Sequence, residues 1–275
     1  MANVLVVANE TIGGRKLLEA VRARAAKGDA QFFLCVPQNR PQHGAVIYDE
    51  AVRDAAQVRV DLAEQFMSNE GIEISGDVGD PDPYTAAMDA IAETHAHEVI
   101  VSTLPQTASG WLRHDLIERI EGASGVPVEH VVSDLDAEGL PFTVTLVVAN
   151  QTSESDSLVD DLKKRADDDR HLFIFTIPLA DGSGEATGTA RAHLNHTLAT
   201  MRDAGLLCAG MVGDPDPYTA TMNALQSFRV DEVVISTFPE GRSRWLRGGL
   251  IERLKDATAT PIDHVSEQTT AQSSS

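Results

Sequence analysis

The chain contains one sequence twice. Residues 78–131 align without a gap with residues 212–265, and 28 of the 54 aligned positions are identical. Both stretches begin V-G-D-P-D-P-Y-T-A-x-M, and both later contain S-x-W-L-R-x-x-L-I-E-R. A spacing this large is too long for a solenoid repeat and is close to the length of a domain. The sequence therefore predicts two tandem copies of one domain.

The repeat extends upstream with a different spacing. V-V-A-N ends at Asn9 in the first copy and at Asn150 in the second, an offset of 141 residues, whereas the downstream block is offset by 134. Because loops tolerate deletions, about seven residues are missing from a loop of the second copy. We predict a first domain at 1–135, a second at 140–266, a disordered polar tail at 267–275, and a linker at 133–141.

Composition and charge limit the classes of function. The chain is 42% hydrophobic, and it has no apolar run near the roughly 20 residues that a membrane helix needs. Its N-terminus does not resemble a secretion signal, so we expect a cytoplasmic protein that does not enter a membrane. The net charge of −20 repels phosphate backbones and argues against nucleic acid as a partner. An anionic ligand would need a local basic pocket.

Apolar runs alternate with amphipathic segments along both copies. Continuous apolar runs are typical of strands that are buried on both faces, and strands alternating with helices indicate a parallel sheet covered by helices. We predict helices at 14–27, 48–69, 83–94 and 111–121 of the first copy. The predicted strands are 3–9, 30–36, 72–78, 98–102 and 126–132, and in the second copy 143–150, 171–178, 206–212, 232–236 and 261–265.

The loops that follow the first and fourth strands are the candidate binding loops. In open parallel sheets, ligands bind beyond the carboxyl ends of the strands, where the chain order reverses. The second copy has more basic residues in this region, because Arg242, Arg244 and Arg247 follow its fourth strand. An arginine cluster in an acidic protein suits phosphate recognition. The alternative is that these arginines pair with neighbouring carboxylates.

Taken together, these residues resemble the universal stress protein family in its tandem two-domain form. The likeness rests on the strand and helix order, on the G-D-P that opens the third helix, and on the loop after the fourth strand. It covers nearly the whole chain. The resemblance implies two Rossmann-like, HUP-type α/β domains, each a five-stranded parallel sheet of order 3-2-1-4-5 with helices on both faces. It also implies pairing through the fifth strands, as an internal pseudo-dimer or a homodimer.

The resemblance also implies a nucleotide site. Nucleotide-binding members of the family carry an Asp after the first strand and G-x2-G-x9-G-[ST] after the fourth. Here Asn9 and Asn150 replace the Asp, Ser102 and Ser236 replace the first glycine, and Pro105 and Pro239 replace the second. Gly249 matches the third glycine in the second copy, where Asp115 stands in the first. We therefore expect ATP or another adenine nucleotide in the second copy and a degenerate pocket in the first.

The predicted nucleotide-binding residues come from the carboxyl ends of strands one, two and four. In the second copy they are Asn150, Ile177, Ser236, Thr237, Gly241, Arg242, Ser243, Arg244, Arg247 and Gly249. The weaker set in the first copy is Asn9, Val36, Ser102, Thr103, Ser109 and Arg113.

Structural roles account for the other recurrent residues. Trp111 and Trp245 are expected to anchor a helix to the sheet, and the D-P-D-P segments to cap helices. His130 and His264 either face each other across a pseudo-twofold axis or give an edge strand polarity.

No metal site and no catalytic group are predicted. The pairs His95 with His97 and His193 with His196 do not recur, and the sequence places no third metal ligand near either. Cys35 and Cys208 lie at unrelated positions of their repeats, so we expect buried thiols without a shared framework. The leading hypothesis is a stress-response binding module and not an enzyme. The alternatives are a nucleotide-independent interaction scaffold and, third, a slow ATP hydrolase.

Overall fold

The computed structural model describes residues 1–38, 49–105, 115–180, 183–239 and 242–267. The chain divides into two compact units, Met1–Pro141 and Phe142–Ser275, which we call the first and the second unit. Within the described residues, no helix combines the length and apolarity that crossing a bilayer requires.

The first unit is a five-stranded parallel sheet of order β3-β2-β1-β4-β5. Its strands and helices alternate, as the apolar runs predict. In chain order they are β1 (Ala2–Val7), α1 (Arg15–Ala25), β2 (Ala30–Pro37), α2 (Asp49–Asn69), β3 (Ile74–Gly79), α3 (Pro83–Thr94), β4 (Glu98–Thr103), α4 (Leu116–Ser124), β5 (Val128–Val132) and α5 (Leu135–Glu138).

The second unit repeats this topology with the order β8-β7-β6-β9-β10, again all parallel. The predicted α/β class and strand order are therefore confirmed for both units. The elements are β6 (Thr143–Val148), α6 (Asp156–Asp168), β7 (His171–Pro178), α7 (Gly184–Asp203), β8 (Cys208–Gly213), α8 (Pro217–Ser227), β9 (Glu232–Thr237), α9 (Arg244–Arg247), α10 (Leu250–Ala257) and β10 (Ile262–Ser266).

Helices cover both faces of each sheet. In the first unit, α3 and α4 bury apolar side chains such as Ile91 and Ile120 against one face of the central strands. In the second unit, α6 and α7 bury Leu162 and Leu198 against Phe175 of β7. Because the central strands are covered on both sides, they read as continuous apolar runs. Both cysteines are free thiols buried in these cores, and burial raises the pKa of Cys35 to about 12.

The D-P-D-P segments form helix caps in both units. The side chain of Asp82 accepts a hydrogen bond from the backbone N–H of Thr85 at 3.0 Å. Asp216 accepts one from Thr219 at 3.2 Å. Asp80 also accepts the N–H of Asp82 at 2.8 Å, which closes the turn before the helix. These carboxylates satisfy helix N–H groups that lack partners, so the structural interpretation of the motif holds.

Two further recurrent contacts explain why the repeat is so well preserved. The guanidinium of Arg119 lies 4.1 Å from the ring centre of Tyr84, and Arg253 lies 4.3 Å from that of Tyr218. These cation–π contacts join the D-P-D-P-Y segment to the L-I-E-R segment of the following helix. The two longest shared motifs of the repeated block therefore touch in each unit.

The repeated V-G marks a close approach of strand and helix. A Cβ on Gly79 would lie 2.7 Å from the Cβ of Ala86, and one on Gly213 would lie 2.8 Å from that of Ala220. Real Cβ atoms do not approach so closely. Glycine at the end of β3 and β8, with alanine in the next helix, is therefore a packing requirement.

Among the described residues, the helix expected at 111–121 is represented by α4. Residues 111–114, including Trp111, lie outside the described residues, and α4 starts at Leu116 after Asp115, whose φ is 48°. In the second unit the corresponding segment is two helices, α9 and α10, separated at Gly249 with φ 65°. A left-handed residue breaks the α-helical hydrogen-bond ladder, so an uninterrupted amphipathic pattern overestimated this helix.

The segment 133–141, predicted as a linker, packs on the first unit. Ser133 is fully buried, and its N–H donates to the carbonyl of Thr103 at 2.9 Å. The short helix α5 begins at an Asp134 cap, and Glu138 lies 2.7 Å from the ammonium of Lys16. This segment is therefore structured and belongs to the first unit.

Candidate functional site

The ends of β1, β2 and β4 converge at the carboxyl edge of the first sheet. The side-chain amide of Asn9 donates to the carbonyl of Pro37 at 2.8 Å, and the hydroxyl of Thr11 donates to the carbonyl of Ser102 at 3.2 Å. The other amide atom, Asn9 Oδ1, is buried and has no hydrogen-bond partner among the described residues. A buried acceptor left unpaired is unfavourable, and a ligand N–H or O–H would satisfy it.

The second unit gathers the equivalent loops in the same way. Asn150 donates to the carbonyl of Pro178 at 3.1 Å, and Ser236 Oγ donates to Thr152 Oγ1 at 2.9 Å. The predicted residues Asn150 and Ser236 are thus brought to one edge, next to Ile177. This convergence follows from the strand order, which places β6 between β7 and β9.

Several hydroxyl groups that were predicted to bind nucleotide form hydrogen bonds within the protein. Ser102 Oγ lies 3.4 Å from Ser133 Oγ. Thr103 Oγ1 lies 2.9 Å from Nε2 of His130, and the same pair recurs in the second unit, where Thr237 and His264 are 2.8 Å apart. The four residues from the ends of β4 and β9 are buried: Ser102, Thr103, Ser236 and Thr237.

The threonine–histidine pairs give the edge-strand histidines a role that the sequence did not predict. His130 and His264 bond within their own sheets, across β4 and β5 or β9 and β10. Partial burial lowers the pKa of both imidazoles, because desolvation disfavours the charged ring. Each imidazole therefore tends to be neutral and accepts or donates one hydrogen bond with its threonine.

Two of the predicted contact residues can offer only backbone groups. Val36 and Ile177 are 0% and 1% exposed, so their side chains belong to the core. Three others, Ser109, Arg113 and Gly241, lie outside the described residues.

The loop between β9 and α10 presents the basic groups. Arg242 lies over the ring of Phe238, 4.7 Å from its centre. The backbone N–H groups of Arg242 and Ser243 donate to the carbonyl of Pro239, at 2.8 and 3.1 Å. The hydroxyl of Ser243 caps α9 by accepting the N–H of Leu246. The described residues of this loop are therefore held by backbone and cap hydrogen bonds that do not use the arginine side chains.

The charges of this loop distinguish the two interpretations of the arginine cluster. Arg242, Arg244 and Arg247 are all exposed. In the described part of the chain, Arg242 and Arg244 form no ion pair, although the protein carries 42 acidic residues. Among the described carboxylates, the alternative of pairing therefore finds no partner for these two residues. Gly249, with its left-handed backbone, follows them at the start of α10.

Sequence reasoning missed one polar cluster in the second unit. Glu154 lies between the two histidines of α7, with Oε1 3.8 Å from His193 Nδ1 and Oε2 3.4 Å from His196 Nε2. Within the described ranges, no group of three His, Cys, Asp or Glu residues is arranged to hold a metal ion. The signal that could have revealed the cluster is the difference between the two copies at the aligned positions.

Comparison with known proteins gives no sequence match and only weak structural matches. No protein-family model matches the chain, and no curated protein matches it in sequence. Among solved structures, a universal stress protein from Archaeoglobus fulgidus DSM 4304 is 15% identical, with a TM-score of 0.38 over 96% of this chain and 97% of that one. MurG from Acinetobacter baumannii is 11% identical, with a TM-score of 0.25 over 96% of this chain and 86% of that one.

Proposed function

We propose that this chain is a tandem binding and regulatory module of the universal stress protein type, with an adenine-nucleotide pocket in the second unit. The first unit carries a degenerate version of that pocket. The observation that supports this most is the pair of exposed arginines, Arg242 and Arg244, in the loop after β9. They follow β9, the strand that pairs with β6, in a protein whose net charge is −20.

Electrostatics favours a small anion at this loop over a polyanion. The overall negative charge repels an extended phosphate backbone, whereas guanidinium groups bind a compact di- or triphosphate through charge-assisted hydrogen bonds. Asn150 and the backbone of Ile177 would then meet the uncharged part of the ligand at the ends of β6 and β7. The site is thus suited to a ligand with one polyanionic end.

The side chains at this edge of the sheet favour nucleotide binding over nucleotide hydrolysis. A hydrolase needs a Mg²⁺ ligand and a group that positions water. The hydroxyls at this edge are engaged within the protein, as Ser236 with Thr152 and Thr237 with His264. The same engagement favours the second candidate function, an interaction scaffold that needs no nucleotide.

Calorimetric titration with ATP, ADP and AMP tests the proposal. We expect saturable binding, and we expect Arg244→Ala with Arg247→Ala to weaken it more than tenfold, since hydrogen bonds to charged groups contribute about 1.5–3 kcal/mol. Arg253→Ala is the matched control, because that guanidinium stacks on Tyr218. Its affinity should remain that of the parent protein.

The outcomes separate the candidate functions. Absence of heat at millimolar nucleotide would leave the interaction scaffold as the function. Unchanged affinity in the double arginine variant would show that this loop is not part of the nucleotide pocket. Phosphate release that disappears in Arg244→Ala would instead establish the slow hydrolase.

A further inference from the structure

Because the two units share one fold, each residue of the second unit has an aligned residue in the first. The alignment of the two copies is fixed by equivalent contacts: a Cβ on Gly76 would meet Val60 at 2.8 Å, and one on Gly210 would meet Leu194 at 2.8 Å. These pairs share the offset of 134 residues. A group of aligned positions that is polar in one copy and apolar in the other, and whose side chains touch, is therefore a feature of one unit alone.

Such a group lies behind the loop that follows β6. We call it the polar clamp, and it consists of Ser153, Glu154, His193, His196 and Thr197. Ser153 Oγ lies 3.0 Å from His193 Nε2 and 2.9 Å from Thr197 Oγ1. Thr197 Oγ1 in turn donates to Glu154 Oε1 at 2.9 Å. The chain of bonds thus joins the β6 loop to α7.

The clamp acts on Asn150 through its main chain. His193 Nε2 lies 3.0 Å from the carbonyl oxygen of Asn150, and the backbone N–H of Ser153 donates to the same oxygen at 3.0 Å. An imidazole with its proton on Nε2 donates to this carbonyl and to Ser153 Oγ. Ser153 and Thr197 are both 0% exposed, so this part of the network is shielded from competing water.

The first unit keeps the backbone bond, from the N–H of Ile12 to the carbonyl of Asn9 at 3.2 Å, but it lacks the clamp side chains, because its residues differ at every clamp position. Ile12 and Gly13 stand where the second unit has Ser153 and Glu154, and Leu62 and Ala63 stand where it has His196 and Thr197. The position of His193 is taken by Arg59. Burial lowers the pKa of that guanidinium to about 10, while the negative charge of Glu10 opposes the shift.

We propose that the polar clamp is a positioning device, which fixes the β6 loop so that Asn150 is held ready for ligand in the second unit. This inference rests on the proposed nucleotide site and assigns His193 as its positioning residue. Preorganisation gives a reason for the four polar side chains that stand in the second unit where the first unit has Ile, Gly, Leu and Ala. A loop that is already ordered loses less conformational entropy when a ligand binds.

Two readouts test the clamp in the full-length protein. The first is hydrogen exchange of the amides of residues 151–155, which needs no nucleotide. We expect exchange to rise about tenfold in His193→Leu and to stay within about threefold of the parent in His193→Gln, because a glutamine amide still donates. Residues 5–16 of the first unit serve as the control within the same molecule.

The second readout is ATP affinity by titration. His193→Leu should weaken binding about tenfold, and His193→Gln should restore most of it. Thr197→Ala, which installs the first unit's residue, should give an intermediate loss in both readouts. Recovery by glutamine distinguishes positioning from simple loss of packing.

The outcomes are distinct from those of the proposed function. If ATP does not bind the parent protein, the nucleotide site fails, and the exchange measurement still decides whether the clamp orders the loop. Unchanged exchange in His193→Leu would overturn the clamp. Faster exchange without loss of ATP affinity would overturn its role in binding. A rise in unfolding temperature with Zn²⁺ that His196→Leu removes would overturn it in favour of a metal site.

Discussion

Asp115 and Gly249 occupy the same place in the two copies, and both have left-handed backbone, with φ of 48° and 65°. For a residue with a Cβ this conformation costs roughly 1–2 kcal/mol, although aspartate tolerates it better than most. The second unit therefore avoids strain that the first unit retains just before α4.

Substitutions at this position should have opposite effects. Asp115→Gly is expected to raise the free energy of unfolding by about 0.5–1 kcal/mol, and Gly249→Ala to lower it by about 1 kcal/mol. Urea denaturation followed by circular dichroism measures both. Gly188→Ala, in the interior of α7 with nothing within 4 Å of the new Cβ, is the control and should be stabilising. A stabilising Gly249→Ala would contradict the argument.

Side chains whose partners are close in sequence were predictable, and those with distant partners were not. The caps at Asp82 and Asp216 bond three residues away, so composition and spacing were sufficient. Ser236 bonds to Thr152, which lies 84 residues away. No local sequence pattern tells whether such a hydroxyl faces a ligand or another loop. The sequence therefore predicted Ser236 as a ligand-binding residue.

Secondary-structure elements could be predicted where their burial leaves a pattern of apolar residues in the sequence. The strands, buried on both faces, appear as apolar runs, and helix α3 begins and ends where its cap and its periodicity predict. The division into α9 and α10 was missed because one left-handed residue leaves the amphipathic pattern intact. Element boundaries set by backbone geometry are invisible to periodicity.

The edge strands β5 and β10 should make stability depend on pH. The pKa values of His130 and His264 are lowered in the folded protein, so the unfolded state binds more protons. Their contribution is therefore complete above the unfolded pKa of about 6.5 and is lost as the pH falls below it. We expect the variant His130→Gln with His264→Gln to lose less stability than the parent between pH 7.5 and 5.

Denaturant titrations at a series of pH values provide this comparison. His95→Asn, at an exposed left-handed helix end, is the control and should follow the parent curve. An equal decline in the parent and the double glutamine variant would show that the threonine–histidine pairs do not contribute.

At the scale of the whole molecule, the excess of 42 acidic over 22 basic side chains dominates. Mutual repulsion of like charges destabilises a compact state, and salt screens it because the Debye length falls from about 10 Å at 0.1 M to about 3 Å at 1 M. The duplicated fold was predictable at this scale because both copies carry the same pattern. The difference in chemistry between the loops that follow β1 and β6 could not be predicted, because it depends on side-chain contacts.

Salt should therefore stabilise the protein. We expect the midpoint of thermal unfolding to rise steadily between 0.05 and 1 M NaCl, as followed by circular dichroism. Isolated surface ion pairs such as that of Lys16 with Glu138 are weakened by salt, but each contributes little. A midpoint that is flat or falls with salt would show that local pairs outweigh the general repulsion.

The packing of residues 133–141 determines where the gene can be divided. Ser133 fills the space beside Gly14, where a Cβ would meet it at 3.0 Å, and Arg15 reaches the carbonyl of Leu140 at 3.4 Å. A cut after residue 135 would remove three of the four residues of α5 and leave Arg15 without Leu140 and Lys16 without Glu138. Any separate expression of the first repeat should therefore end after Pro141, with Phe142 starting the second.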